Sequence, residues 1–215
     1  MNQINPMFSF ASAKQNETVG TRGLYRRSGI SPCPEDFYKY TTKSYLVNAF
    51  GKNYNSFMRS ISSQIHDLLI KAQKTVSVAE SCTGGLVSQL LTEKSGSSSY
   101  FLLGITAYSN QAKQRILNIP KKLISSKGAV SYEVALMMAK QVRALSKSDF
   151  GIGVTGIAGP TGRVPHKPVG TVFIAVSGPT KNICERFLFT GNRTLIRKKA
   201  AIKALEMLNQ LLSKN

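Results

Sequence analysis

The sequence predicts an α/β layered sandwich whose mixed, mostly parallel sheet is flanked by helices. Three observations lead there. From residue 57 onward, short β-branched runs alternate with amphipathic stretches, the pattern of strands covered by helices. Two late apolar runs, TVFIAV and NICERFLF, are divided by a Gly178-Pro179 turn, so they pair as a hairpin and make the sheet mixed. A length of 215 residues with 42% hydrophobic content suits one ordinary domain plus a tail, and not two full domains.

Residues 1–57 mix Asn, Ser, Thr, Tyr and Pro without sustained periodicity, and are expected to be a poorly ordered or peripheral extension. The domain is placed at 58–215. Its first helix shows Phe57, Ile61, Ile65, Leu68, Leu69 and Ala72 three to four residues apart. TVSVA (75–79) then reads as a strand, GLVSQLLTE (85–93) as a helix and KSGSSS as a loop. FLLGITAYS (101–109) reads as a buried strand. A short helix over 110–117 ends at the Asn118-Ile119-Pro120 break, and a longer one runs from Tyr132 to about Lys147 with Ser131 as its N-cap. FGIGVT (150–155) is the next strand, followed by a Gly/Pro loop to Gly170 and the hairpin. The last helix starts near Arg193, with Ala201, Leu205, Leu208 and Leu212 on one stripe.

Composition excludes several classes of function. No run of 18 apolar residues exists, so no spanning helix is expected, and the first 30 residues lack the apolar stretch of a secretory signal. The expected location is cytoplasmic. Cys33, Cys82 and Cys184 have neither disulfide-framework nor zinc-site spacing, and His66 and His166 are too few for a multi-histidine centre. Lys plus Arg number 29 against 10 Asp plus Glu, a formal charge of +19. Seven basic and three acidic side chains fall in residues 1–56, so the excess belongs mainly to the folded part. It forms no block of five, as expected of a solvated basic surface.

Three clusters could carry chemistry. In Val78-Ala79-Glu80-Ser81-Cys82-Thr83-Gly84-Gly85-Leu86 a strand feeds a small-residue turn that opens a helix, where unpaired N–H groups suit an anion or a developing oxyanion. Ser81 sits where a nucleophile would, although the turn could equally serve only to cap the helix. A serine hydroxyl needs a base. With poor histidine candidates and no Ser-x-x-Lys motif, a lysine must arrive from another element. Tyr108-Ser109-Asn110-Gln111-Ala112-Lys113 supplies one at a strand end, the side on which open α/β sheets bind ligands. Tyr108 could relay a proton or orient the amine; surface decoration is the alternative for both residues. The third cluster, Thr155-Gly156-Ile157-Ala158-Gly159-Pro160-Thr161-Gly162, follows a G-x-G-x-x-G match at 151–156. No helix follows, and no acidic residue stands about 20 positions on, so a dinucleotide site is rejected in favour of a substrate wall or a merely flexible loop.

Together AESCTGG, YSNQAK, GAVS, TGIAGP, KPVGTV and FTGNRTLIRKKA, in this order, resemble the CinA carboxy-terminal domain family (competence/damage-inducible protein) over residues 58–213. Stand-alone members of that family are nicotinamide-nucleotide amidases. The resemblance implies hydrolysis of the carboxamide of nicotinamide mononucleotide to nicotinate mononucleotide and ammonia, in pyridine nucleotide salvage, with no metal and no cofactor. It implies Ser81 as nucleophile, Lys113 as general base and Tyr108 as the accompanying hydroxyl. Amides of Cys82, Thr83, Gly84 and Gly85 are candidates for the oxyanion hole. Thr83, Asn110, Thr155, Gly156, Ala158 and Gly159 are candidate substrate contacts. Arg193 and Arg197 are candidates for the nucleotide phosphate, within the chain or across the interface of an expected homo-oligomer. Two departures touch the family pattern: Ala107 replaces a threonine before Tyr108, and Arg163 stands where glycines are common. The rival expectation is a non-catalytic protein that binds nucleic acid nonspecifically through its basic surface; no nucleic-acid-binding motif supports it.

Overall fold

A computed structural model of the protein describes residues 54–213. The extension expected over residues 1–57 falls almost wholly outside them. The first described helix, α1 (Tyr54–Ala72), leads to β1 (Val76–Glu80), α2 (Leu86–Leu91), a 3-10 turn at Ser97–Ser99 and β2 (Phe101–Thr106). Then come α3 (Asn110–Leu117), α4 (Lys121–Lys127), α5 (Tyr132–Ser146), β3 (Phe150–Gly156), β4 (Thr171–Ser177), β5 (Asn182–Leu188) and α6 (Arg193–Leu212). The sheet has the order β2-β1-β3-β4-β5. β1 pairs parallel with β2 and β3, while β4 pairs antiparallel with β3 and β5. Four strands therefore share one direction and β4 alone opposes them, the mixed, mostly parallel sheet that the hairpin signal implied.

Alternation along the strands separates two packing faces. Val76 and Val78 of β1, Ile152 and Val154 of β3, and Val172, Ile174 and Val176 of β4 join Ile61, Ile65 and Leu69 of α1 and Ile196, Leu205 and Leu208 of α6 in one core. The opposite face carries α5, whose Val134, Met138 and Val142 pack with Ala79, Leu117, Ile119 and Ile124. The G-x-G-x-x-G match has its physical meaning here. A Cβ on Gly151 would lie 2.2 Å from the Ala139 carbonyl oxygen and one on Gly153 2.3 Å from that of Ala135, so these glycines let α5 lie directly on β3. They are packing glycines, as the rejection of a dinucleotide site requires.

Caps set the helix boundaries that the sequence indicated. Ser131 accepts from the Val134 N–H at the start of α5, and Asn192 accepts from the Leu195 N–H at the start of α6. Asn118, at φ 49°, ends α3 in the left-handed region. Three expectations need correction. β2 is not a buried strand: it is the sheet edge, and Leu102, Gly104 and Thr106 are exposed. α4 was not foreseen, because only Ile124 of its seven residues is buried and so short a segment shows no period. α6 buries far more than one stripe, since it lies against α1, α2 and the sheet together.

The strand ends away from Ser81 are tied by Asp149, just before β3. Its carboxylate accepts from the Thr75 N–H at 2.9 Å, the Thr75 hydroxyl at 2.8 Å and the Lys74 ammonium at 3.1 Å. Partial burial alone would raise this carboxyl, but the Thr75 bonds and Lys74 outweigh it and hold the pKa below its ordinary 3.8. A carboxyl with a lowered folded pKa stabilises above the unfolded value and loses that contribution as pH falls through the folded one. Asp149→Asn is therefore expected to cost about 1–2 kcal/mol at pH 7. Urea unfolding at pH 7 and pH 3 checks this: the gap between the two proteins should narrow at the lower pH.

Candidate active site

Ser81 follows β1 directly, and its N–H donates to the Val154 carbonyl of the neighbouring strand at 2.9 Å. The turn from Ser81 to Gly85 then reverses into α2. Gly84 (φ 61°) and Gly85 (φ 95°) both lie in the left-handed region, where side chains are costly. At Gly84 there is a second reason, since a Cβ would come 3.2 Å from an Arg197 terminal nitrogen.

Gly85, the N-cap of α2, has no side chain with which to satisfy the helix start. Glu80 does this from the strand. Its fully buried carboxylate accepts from the N–H groups of Gly85 at 2.9 Å, Val87 at 3.1 Å and Ser88 at 2.8 Å, and from the Ser88 hydroxyl at 2.7 Å. An internal anion thus occupies the seat that a helix start would offer to a ligand. This corrects the oxyanion-hole expectation for two residues: the Gly85 amide belongs to Glu80, and the Gly84 amide donates to the Ser81 carbonyl at 3.2 Å. Cys82 and Thr83 are the remaining amides of the turn.

Lys113 arrives from the first turns of α3. It is only 2% exposed, and its ammonium nitrogen lies 3.0 Å from Ser81 Oγ, 2.9 Å from the Ala107 carbonyl oxygen and 3.3 Å from that of Tyr108. Burial removes water from the charged form and lowers the pKa below the ordinary 10.5, the nearby Cys82 acting in the opposite sense. Three oxygens thus surround the nitrogen as acceptors. Once deprotonated, the amine would keep two N–H bonds to the Ala107 and Tyr108 carbonyls, which only accept, and would have its lone pair for the Ser81 hydroxyl. The departure expected at Ala107 leaves this arrangement in place, because Ala107 contributes only its carbonyl. Cys82 is no rival nucleophile: burial pushes its thiol up to about 12, so it is not a thiolate near neutrality.

The arginines of α6 reach the same region from within the chain. Arg193 donates to the Gly159 carbonyl at 2.7 Å and to the Tyr108 hydroxyl at 2.8 Å. Arg197 donates twice to the Thr83 carbonyl, at 3.1 and 2.6 Å, and so braces the turn after Ser81. Neither needs a second subunit to do so. Tyr108 is 58% exposed with its hydroxyl on Arg193, which corrects its expected place as a relay; its carbonyl is what meets Lys113.

Other expected substrate contacts are occupied elsewhere. The Thr155 hydroxyl donates to the Ala129 carbonyl at 2.8 Å, holding the segment before α5. Gly156 lies in the ladder opposite Val172, and Ala158 is buried in the main core. The Cys82 side chain also joins that core. Thr83 is fully buried and its hydroxyl has no partner among the described residues. Asn110 opens α3 and is exposed, and Gly159 faces Arg193 through its carbonyl. Glu80 was missed at the sequence level, though an acid closing a strand before a helix start with a glycine cap is a readable signal.

Comparison with known proteins places the chain in a family. The CinA C-terminal domain matches residues 58–212. The chain belongs to the CinA C-terminal domain family. A CinA-like protein of Leptospira biflexa is 47% identical over 169 residues, 78% of this chain and 40% of its own length. One from Geotalea uraniireducens is 46% identical over 153 residues, 71% of this chain and 36% of its own. The chain thus spans well under half the length of these curated relatives. Among solved structures, the competence/damage inducible protein CihA of Agrobacterium tumefaciens is similar with a TM-score of 0.70 and 36% identity, covering 72% of this chain and 95% of its own. The competence damage-inducible protein A of Klebsiella pneumoniae gives a TM-score of 0.70 at 28% identity, covering 73% and 97%. No helix among the described residues is long and apolar enough to cross a membrane.

The Glu80 cap gives a stability prediction. Glu80→Gln leaves one oxygen for four donors and turns an amide N–H₂ toward N–H groups. A loss of about 2–3 kcal/mol is expected, the scale of bonds to a charged group. The denaturant midpoint of the variant measures it, and Glu80→Asp, which keeps the charge, should lose less.

Proposed function

We propose that the chain is an amidohydrolase of the CinA C-terminal domain family that removes ammonia from the carboxamide of nicotinamide mononucleotide. One observation supports this above the others: a desolvated lysine whose amine lies 3.0 Å from a serine hydroxyl at the mouth of a parallel strand pair. Structural lysines rarely lie buried without a carboxylate, and a buried amine with a lowered pKa beside a hydroxyl is the arrangement that general-base activation needs.

In the proposed reaction Ser81 Oγ attacks the carboxamide carbon while its proton passes to the Lys113 lone pair. The negative charge that develops on the amide oxygen faces the Cys82 and Thr83 amides, which Arg197 steadies through the Thr83 carbonyl. When the tetrahedral intermediate collapses, the C–N bond breaks and Lys113 returns the proton to the departing nitrogen, which leaves as ammonia. Water then attacks the acyl-Ser81 ester, gives its proton to Lys113 and releases nicotinate mononucleotide with Ser81 restored. Arg193, exposed at the start of α6, is suited to the substrate phosphate. The site residues lie in one chain, and a homo-oligomer remains part of the proposal without supplying any of them.

Ammonia release from nicotinamide mononucleotide tests the reading. Ser81→Ala and Lys113→Met are each expected to lower kcat by at least about 10³-fold with the fold retained. Activity retained in Ser81→Ala would overturn the serine mechanism. Tyr108→Phe removes only the hydroxyl on Arg193 and should change kcat less than about tenfold while raising KM.

The pH profile follows from Lys113. Its pKa lies below 10.5 and the active form is the neutral amine, so activity should rise with pH through that lowered value and level off above it. A kcat/KM profile flat from pH 5 to 10 would exclude Lys113 as the base.

A further inference from the structure

We propose that a hollow between the C-terminal half of α5 and the β4–β5 turn binds a small phosphate-bearing anion, separately from Ser81. The hollow measures about 490 Å³ and is lined by Lys140, Arg143 and Lys147, with Ser148, Ser177 and Asn182 among its other walls. No acidic side chain lines it. The ion pairs of the described residues involve Arg59, Lys74, Lys94, Lys127 and Lys203, and none of these three cations.

Lys140 and Arg143 stand three apart on α5 and so carry like charge on one face, and Lys147 follows as the left-handed cap that ends the helix. Such a pair costs a helix a few tenths of a kcal/mol, a repulsion that a bound anion would reverse. Basic residues near a helix C-terminus can simply answer the macrodipole. Here, however, Arg143 is aimed elsewhere: its Nε donates to the Asp149 carbonyl at 2.9 Å, beyond the end of α5. That anchor fixes the guanidinium plane and leaves the terminal nitrogens to meet phosphate oxygens as a fork.

The site lies at the far end of the sheet from the serine. Ser177 pairs with Gly151 at the start of β3, whereas Glu80, next to Ser81, pairs with Val154. Those positions are roughly 10 Å apart along the strand at ~3.3 Å per residue. The hollow shape and the absence of aromatic lining residues favour a small anion over single-stranded nucleic acid, which needs stacking platforms.

Calorimetric titration of the full chain with inorganic pyrophosphate at low salt tests the proposal. One-to-one binding is expected, weakened at least tenfold by Arg143→Gln/Lys147→Gln, and also by Lys140→Gln/Lys147→Gln, whose side chains are exposed and whose replacement leaves the fold intact by circular dichroism. Arg193→Gln should leave that binding unchanged, which separates it from a phosphate subsite near Ser81. Absence of binding overturns the proposal. So does an equal loss in the distant control Lys121→Gln/Lys122→Gln, which would show a diffuse charge effect, or pyrophosphate binding that depends on Arg193 alone.

Discussion

The candidate site depends on one buried charge, the Glu80 carboxylate. A fully enclosed carboxylate is expensive unless its oxygens are filled with donors, and here four donors at the start of α2 fill them. The result is mutual. The helix start, which Gly85 cannot cap, receives a partner, and the anion receives a positive dipole end. Because the strand before Glu80 is held in the sheet and the helix after it is pinned to its carboxylate, the intervening residues have little freedom. Ser81 is carried on that short bridge, and Arg197 closes it from above through the Thr83 carbonyl.

The same cap decides which chemistry the turn can perform. A glycine-rich strand-to-helix turn ordinarily suggests phosphate binding, but a carboxylate already seated on those amides would repel a phosphate. The turn is thereby reserved for the serine and for the two amides nearest to it. The positive charge nearest this turn comes from farther along the chain, from Arg193 and Arg197 of α6. Lys113 completes the division of labour. It meets the serine without a carboxylate of its own, so burial lowers its pKa with no anion to oppose it, while two carbonyls fix its position.

Much of this was legible in the sequence, and what was missed has physical reasons. The short apolar runs FGIGVT and TVFIAV and the caps Ser131 and Asn118 are local signals, so strand and helix positions follow from them directly. The Ser81 and Lys113 pairing is not local. It was reachable only by asking which base a serine could find once histidine was unsuited and by the resemblance of whole motifs. Tyr108 shows the limit of such reasoning, for the expectation concerned its hydroxyl, which meets Arg193, while the carbonyl that meets Lys113 had no expected part. Thr155 and Ala158 show a different limit: a glycine-rich loop reads as a ligand wall in sequence whether its side chains face a cleft or, as here, turn inward. The edge position of β2 depends on strand order, which no single segment encodes.

The basic surplus takes on a different meaning once each acid is located. Of the seven acidic residues in the domain, Glu80 caps α2 and Asp149 ties the opposite strand ends, while Asp67, Glu93, Glu133 and Glu206 are matched with cations. Nearly every carboxylate is therefore committed to the fold, and added basic residues meet no counter-charge. Such cations do not act as a uniform coat, because local repulsion concentrates their effect where a helix face repeats them, as on α5, or where an element converges on a cleft, as α6 does on Ser81. Anionic small molecules would be drawn toward both ends of the sheet by the general field, but held only where side chains are already oriented by carbonyl partners. Arg193, Arg197 and Arg143 each have such a partner, in Gly159, Thr83 and Asp149. Arg186 has one as well, in the His166 carbonyl at 2.8 Å, so backbone orientation alone does not set the first three arginines apart; what does is that it points them to the Ser81 turn or the α5 hollow.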